Sequence, residues 1–166
     1  MATHFKGDPR EVRALDAYIK LSRASGTLDA RLAHNLARLG LTTGQLGVME
    51  ALMHLGPLSQ GELGRKLLRS GGNVTTVLDN LERRKLVART RNAADRRVVT
   101  ADLTKVGRRL IEKVFPVHAR AVAQVMETLS AAEQEELGRL CRKLGRGVAD
   151  ELAAARTIKA NGVART

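Results

Sequence analysis

The chain has 166 residues, 43% of them hydrophobic, which suits one compact domain with helical extensions. Its 29 Lys and Arg against 17 Asp and Glu give a formal net charge of +12, which favours a polyanionic partner, nucleic acid before an acidic membrane surface. A single cysteine excludes an intrachain disulfide, and no apolar stretch approaches the ~18 residues that span a bilayer, so we expect a cytoplasmic protein without membrane association.

The N-terminal region is predicted to be helical. Leu15 and Ile19 lie at helical spacing, and the apolar pattern continues from Leu28 to Leu39 before Gly40 ends it. Gly26 is a candidate kink or break within this region. We expect residues 1–40 to be a helical dimerisation region.

Two capping boxes begin the next helices, at Thr42–Gln45 and at Ser59–Glu62. A third helix is predicted after a break at Ser70–Gly72, because Val74, Val77, Leu78 and Leu81 recur at i, i+3, i+4 and i+7. The helix that begins at Ser59–Glu62 and the helix after Ser70–Gly72 are thus joined by a tight turn containing glycine, which is typical of a helix-turn-helix motif.

A β-hairpin is predicted directly after this motif. Leu86–Thr90 and Val98–Leu103 are rich in β-branched residues, and the polar loop Arg91–Arg97 connects them. The helix after Ser70–Gly72 is the second of the motif and the predicted recognition helix, and a hairpin with a basic tip directly after it is a wing. The predicted fold is therefore mainly α, an α+β winged helix-turn-helix lobe at residues 41–104.

The C-terminal region is again predicted to be helical. Thr104 can cap a long helix that Pro116 interrupts and bends, and a third capping box at Ser130–Glu133 opens the last helix. That helix carries an apolar seam of nearly heptad spacing. We expect dimerisation helices at residues 105–156 and a disordered tail at 157–166. The apolar residues expected in the dimer interface are Leu15, Ile19, Leu137, Leu140, Leu144 and Val148.

The positive charge is concentrated in the predicted DNA-binding lobe. Between Arg65 and Arg97 there are ten basic and three acidic residues, a net of +7 in 33 residues. Phosphate neutralisation by such a surplus releases counterions and strengthens binding. The recognition helix adds side chains that can hydrogen-bond base edges, and small residues at its start leave room for a phosphate. The residues predicted to contact DNA in this helix are Ser70, Gly72, Asn73, Thr75, Thr76, Asp79 and Arg83. Arg89 and Arg91 are predicted phosphate contacts, and an Arg at the wing tip suits the minor groove.

The chain resembles the MarR (multiple antibiotic resistance regulator) family. The resemblance rests on the order of elements and on Leu63, the run Val74–Val87, Asp95–Arg97 and Leu103–Gly107. It implies a triangular homodimer built on the terminal helices of both subunits, with the recognition helix in the major groove. The family's Asp-x-Arg wing motif maps onto Asp95 and Arg97. Arg97 is then the minor-groove residue, Arg96 a phosphate contact and Asp95 the residue that orients the wing.

The resemblance also implies regulation by a small molecule. Family members commonly repress promoters and release DNA when a lipophilic or phenolic ligand binds between the dimerisation helices and the DNA-binding lobe. His34, His54 and His118 could line such a cleft, although exposed or satisfied histidines are the simpler interpretation. Oxidation-sensing members carry an N-terminal reactive cysteine that this chain lacks. Cys141 lies on the apolar seam and is interpreted as a small core residue.

Other classes of protein are less consistent with the sequence. No metal-binding spacing, phosphate-binding loop or nucleophile motif occurs, so we expect no metal, no cofactor, no catalytic residues and no enzyme activity. The alternative is an architectural protein that coats DNA without sequence preference. Such a protein would be expected to carry Lys and Arg where this helix carries Asn73, Thr75, Thr76 and Asp79.

Overall fold

A computed structural model describes residues 3–67, 71–91 and 99–163 of the chain. The elements in chain order are α1 (Pro9–Arg38), α2 (Thr43–Leu55), β1 (Leu58–Ser59), α3 (Gln60–Lys66), α4 (Gly71–Arg83), β2 (Val87–Arg91), β3 (Val99–Leu103), α5 (Lys105–Met126) and α6 (Ala131–Val163). The predominance of helix with one small sheet confirms the predicted winged-helix class.

The first helix is continuous over 30 residues. The backbone N–H of Arg10 donates to the Asp8 carboxylate at 2.7 Å, and Pro9 occupies the first helical turn, where a missing N–H costs nothing. The helix passes through Gly26 without a break, so the expected division there is wrong. It ends at Arg38, and Gly40, two residues later, has a φ of 72°, which suits a residue without a side chain.

All three predicted capping boxes are present. The Thr42 hydroxyl accepts from the Gln45 backbone N–H at 3.2 Å, and the Gln45 side chain accepts from the Thr42 N–H at 3.0 Å. The same exchange joins Ser59 to Glu62 and Ser130 to Glu133. Each box satisfies N–H groups that a helix start leaves without partners, which fixes where α2, α3 and α6 begin.

The sheet has three antiparallel strands in the order β1-β3-β2. In the hairpin, Val87 pairs with Leu103 and Arg91 with Val99, within one residue of the predicted strand bounds. The two-residue strand β1 was not predicted; its Leu58 pairs with Ala101. This edge strand ties the start of α3 to the hairpin, so the helix-turn-helix and the wing strands share one framework.

One apolar core joins these elements. Leu36 of α1, four residues of α2 and Leu63 of α3 are buried together with residues of α4, both hairpin strands and α5. The fully buried side chains of largest volume are Leu36, Met49, Leu52, Leu63, Leu78, Leu81, Ile111, Val48, Val74 and Val87. The core is aliphatic, as the scarcity of aromatic residues requires. It holds α4 by one face and leaves the opposite face outside.

The C-terminal helices follow the hairpin. The Thr104 hydroxyl accepts from the Gly107 backbone N–H at 3.0 Å and donates to the Lys85 carbonyl at 2.7 Å, so the predicted cap also anchors α5 to the end of α4. Helix α5 continues through Pro116, and α6 extends to Val163, beyond the expected start of a tail at residue 157.

The chain divides into two compact units, Met1–Val122 and Ala123–Thr166. Among the described residues, no helix is long and apolar enough to cross a membrane.

Candidate nucleic-acid interface

Helix α4 presents a polar face opposite its buried one. Val74, Leu78 and Leu81 are at most 1% exposed and hold the helix against the core. The outward residues, which we call the polar face of α4, are Gly72, Asn73, Thr76, Asp79 and Arg83, and all are exposed. A helix anchored on one side with short donors and acceptors on the other has the shape and chemistry to enter a major groove. Of the predicted DNA contacts, Ser70 lies outside the described residues.

Hydrogen bonds order part of this surface. The Thr76 hydroxyl donates to the Gly72 carbonyl at 3.1 Å, and the Asn80 amide donates to the Thr76 carbonyl at 2.9 Å. Thr75 is half-buried, and its hydroxyl accepts from the Gln60 side chain of α3 at 2.5 Å. Thr75 therefore ties the two helices of the motif together, a contact that the sequence analysis did not predict.

Arg89, on β2, lies against α4. Its Nε and Nη2 both donate to Oε2 of Glu82, and Nη2 also lies 2.7 Å from Oδ1 of Asp79. The hydrogen bond from Arg89 is the largest influence on the pKa of the Glu82 carboxyl, which lies below its ordinary value; the same bond raises the pKa of Arg89. Glu82 was not among the predicted site residues. Glu82 belongs to α4 and Arg89 to β2, so no periodicity within a single element indicates their contact.

The base of the wing carries an exposed arginine. Arg91 ends β2 opposite Val99 and is exposed, as is Arg83 on α4. Neither forms a salt bridge with any described residue. Both cations are thus available to phosphates. The predicted wing-tip residues Asp95, Arg96 and Arg97 lie outside the described residues.

Apolar side chains predicted for the dimer interface are exposed in the single chain. On α6, Leu137, Leu140, Leu144 and Val148, which we call the α6 seam, are between 36% and 55% exposed. An open depression of about 390 Å³ adjoins this seam and is lined by Leu129, Ala132, Glu133, Glu136, Leu137 and Leu140. Cys141 is exposed as well, so its interpretation as a core residue is wrong for the single chain. Among the α6 side chains that the structure describes, none is buried.

The N-terminal helix shows the same kind of surface. Leu15 is 36% exposed, Tyr18 is 66% exposed and Ile19 is half-buried. A continuous apolar row left outside in this way is uncommon on a monomer.

The three histidines considered for a ligand cleft lie on three different helices. His34 on α1 is exposed, and His54 at the end of α2 meets the Phe115 ring of α5 edge to face, with centroids 5.4 Å apart. His118 is half-buried, and its Nδ1 has no hydrogen-bond partner among the described residues. No group of three or more His, Cys, Asp or Glu within the described ranges could hold a metal ion.

Comparison with known proteins gives a consistent set of relatives. Residues 39–98 match the family model described as the MarR family. The HTH-type transcriptional regulator MhqR of Bacillus subtilis is 31% identical over 133 residues, which cover 80% of this chain and 92% of the relative. An HTH-type transcriptional repressor of Mycobacterium tuberculosis is 33% identical over 125 residues, or 75% and 90% of the two chains.

A solved structure extends the comparison to three dimensions. It is BpsR of Bordetella bronchiseptica, a protein whose DNA binding is regulated by 6-hydroxynicotinic acid. The two chains superpose with a TM-score of 0.72 at 30% identity, covering 78% of this chain and 98% of BpsR.

Proposed function

Because the chain belongs to the MarR family of winged helix-turn-helix transcriptional regulators and is not an enzyme, we propose that it is a sequence-specific repressor in the cytoplasm. It binds a pseudo-palindromic operator as a homodimer and leaves it when a small lipophilic ligand binds. The observation that carries this proposal is the polar face of α4, which stands exposed over a fully buried apolar face beside the wing strands.

Base recognition is assigned to the polar face of α4. Asn73 can present a donor and an acceptor to adenine, and the Thr76 methyl can meet a thymine methyl. The Oδ1 of Asp79 contacts Arg89, and its second carboxylate oxygen can accept from a cytosine amino group. Gly72 leaves open space at the helix start, since a β-carbon there would meet nothing within 4 Å. A phosphate can then approach the N–H groups of the first turn.

Contacts with the DNA phosphate backbone are assigned to the cations around this helix. Arg83 and Arg91 are exposed and lack acidic partners among the described residues, so their charge is available for phosphates. From the sequence, Arg96 takes a further phosphate, and Arg97, oriented by Asp95, enters the minor groove, whose negative potential is greatest in A·T-rich DNA.

Dimerisation is assigned to the apolar surface of α1 and α6. Leu15 and Ile19 on the first helix and the α6 seam on the last offer aliphatic area that another copy of the chain would remove from water. A two-fold dimer places two recognition helices on successive major grooves, about 34 Å apart, which requires an operator with matching half-sites.

Release by a ligand is supported by the relative BpsR, whose DNA binding responds to 6-hydroxynicotinic acid. In this chain the His54–Phe115 pair, with Leu55 and Val117 exposed nearby in sequence, supplies aromatic and apolar surface. The Nδ1 of His118, which has no hydrogen-bond partner among the described residues, supplies a polar atom. A small planar ligand with a hydroxyl or carboxyl group suits this combination.

The alternative, an architectural protein without sequence preference, fits the polar face of α4 less well. Among its five residues only Arg83 is basic, and Asp79 is acidic. A surface that binds any phosphate backbone needs cations in those positions.

Selection of duplexes from a random library, followed by sequencing, tests the proposal. We expect the purified protein to enrich an inverted repeat whose half-sites are about one helical turn apart. Enrichment of no sequence, with equal affinity for all duplexes, would establish the architectural alternative.

A further inference from the structure

Arg89 joins the wing strand to the recognition helix through two carboxylates. It belongs to β2, and its guanidinium contacts Glu82 and Asp79, which lie three residues apart on α4. We call these three residues the Arg89 clamp. The Arg89 side chain is 25% exposed, whereas those of Asp79 and Glu82 are 47% and 40% exposed. The arginine is thus the most covered member of a group at the edge of the polar face of α4.

The contacts of Arg89 require the planar guanidinium group, whose donors point in fixed directions. Nε and Nη2 both donate to Oε2 of Glu82, and Nη2 also reaches Asp79. A lysine ammonium, a point charge on a flexible stem, cannot reproduce this orientation. Contacts in two directions fix both the distance and the angle between β2 and α4. Because the three groups are partly exposed, water screens them, and the clamp adds little to overall stability.

The electrostatics of the clamp favour DNA binding. Asp79 and Glu82 are the only acidic residues of α4, and they would face the phosphates on either side of a groove. Arg89 offsets part of their charge without extending to the phosphates itself. The hydrogen bond from Arg89 lowers the pKa of Glu82, which favours the ionised carboxylate that the clamp uses.

We propose that Arg89 is a positioning residue, which sets the angle of the recognition helix against the wing strands by holding Asp79 and Glu82. This inference rests on the proposed function and revises the role of phosphate ligand predicted for Arg89 from sequence. The two roles differ in what Glu82 does. If Arg89 bound a phosphate, Glu82 would compete with that phosphate for the guanidinium. If Arg89 positions α4, it needs Glu82 as its partner.

Whether Glu82→Gln weakens or strengthens DNA binding decides between these roles. The probes are a duplex that the wild-type protein selects from a random library and a shuffled duplex of the same composition. If Arg89 positions α4, Glu82→Gln should weaken binding to the selected duplex by about threefold or more, although it removes a negative charge near DNA. Arg89→Met should weaken it by about tenfold, and the double variant should bind no more weakly than Arg89→Met, because both changes break one unit.

The control for net charge is Glu112→Gln, at an exposed position of α5 outside the clamp. It should leave the affinity unchanged or raise it slightly. Binding is measured well below the thermal midpoint of each variant, on folded protein. For both clamp variants the ratio of affinities for the selected and shuffled duplexes should fall, which a loss of stability alone does not cause.

Four results would overturn the inference. Tighter binding by Glu82→Gln, with Arg89→Met weakening both duplexes equally, would establish the phosphate role. Lower thermal midpoints with an unchanged affinity ratio would establish a purely structural pair. Equal binding of both duplexes by the wild-type protein would overturn the proposed function, and this inference with it. If the wild type prefers the selected duplex but Glu82→Gln leaves its affinity unchanged, the inference alone is overturned.

Discussion

The backbone carbonyl oxygen of Leu86 lies 1.9 Å from the position that a β-carbon on Gly107 would occupy. The start of α5 therefore passes directly over the turn between α4 and β2. Thr104 reinforces this approach, because its backbone N–H donates to the same Leu86 carbonyl at 3.0 Å.

Gly107→Ala should destabilise the protein by about 1–3 kcal/mol, since backbone must shift to admit the methyl group. Thermal denaturation measures the loss. The matched control is Gly26→Ala in α1, where a β-carbon meets nothing within 4 Å. That change should raise stability by about 0.5–1 kcal/mol, as expected for alanine in a helix interior. Equal effects of the two substitutions would contradict the close approach.

Lys85, two residues after the end of α4, has a φ of 57°, in the left-handed region. The turn is closed by hydrogen bonds from the Lys85 N–H to Glu82 and from the Leu86 N–H to Leu81. Because a side chain costs roughly 1 kcal/mol in this conformation, Lys85→Gly should raise the thermal midpoint. Lys113→Gly, at an exposed lysine inside α5, should lower it by a similar free energy. A destabilising Lys85→Gly would show that the strain is absent.

The α6 seam is predicted to bury a second copy of the chain. Leu140→Asp or Leu144→Asp should convert the dimer into monomers or unfold it, because a lone carboxylate would enter an apolar interface. Sedimentation gives the mass, and circular dichroism reports the fold. Arg146→Asp, on the opposite side of α6 by helical periodicity, should remain dimeric. A stable, folded 18 kDa monomer for the unmodified protein would contradict the prediction.

Much of this fold follows from local signals. The capping boxes at Thr42, Ser59 and Ser130 define helix starts because the partners are three residues apart. Gly26 misled the prediction, because one glycine costs a helix only about 1 kcal/mol and a 30-residue helix absorbs that cost. The two-residue strand β1 is too short to show any periodicity.

The candidate site likewise has one part that local sequence patterns predict and one part that they do not. The exposed face of α4 follows from the spacing of its apolar residues, so most of the predicted base contacts are placed outward as expected. The partners of Thr75 and Arg89 come from other elements, and no local pattern indicates them. From sequence alone, Arg89 is therefore predicted to be a free, phosphate-binding cation.

Arg91 should act as a phosphate contact without sequence preference. Arg91→Ala should weaken binding to all duplexes by similar factors and reduce the slope of log affinity against log salt by about 0.9. Lys113→Ala, at an exposed lysine on α5, serves as a control for the loss of one positive charge. An Arg91 variant with an unchanged salt slope would remove this residue from the interface.

Arg97 is predicted to enter the minor groove. Arg97→Ala should weaken operator binding by at least about tenfold, or ~1.4 kcal/mol, with fold and dimerisation unaffected. The effect should shrink when A·T pairs under the wing are replaced by G·C, since the groove then widens and its negative potential falls. Full operator affinity for Arg97→Ala at physiological salt would remove the wing from the mechanism.

The most direct test of base reading by α4 is the sequence preference of Asn73→Ala, measured by repeating the library selection with this variant. Asn73 lies exposed at the N-terminal end of the polar face of α4, where a recognition helix meets base edges. The variant should lose discrimination by about 1–3 kcal/mol at one base pair in each half-site and keep the preference elsewhere. An enriched sequence identical to that of the wild type, at every position and with equal strength, would contradict the assignment of α4 as the reader of DNA sequence.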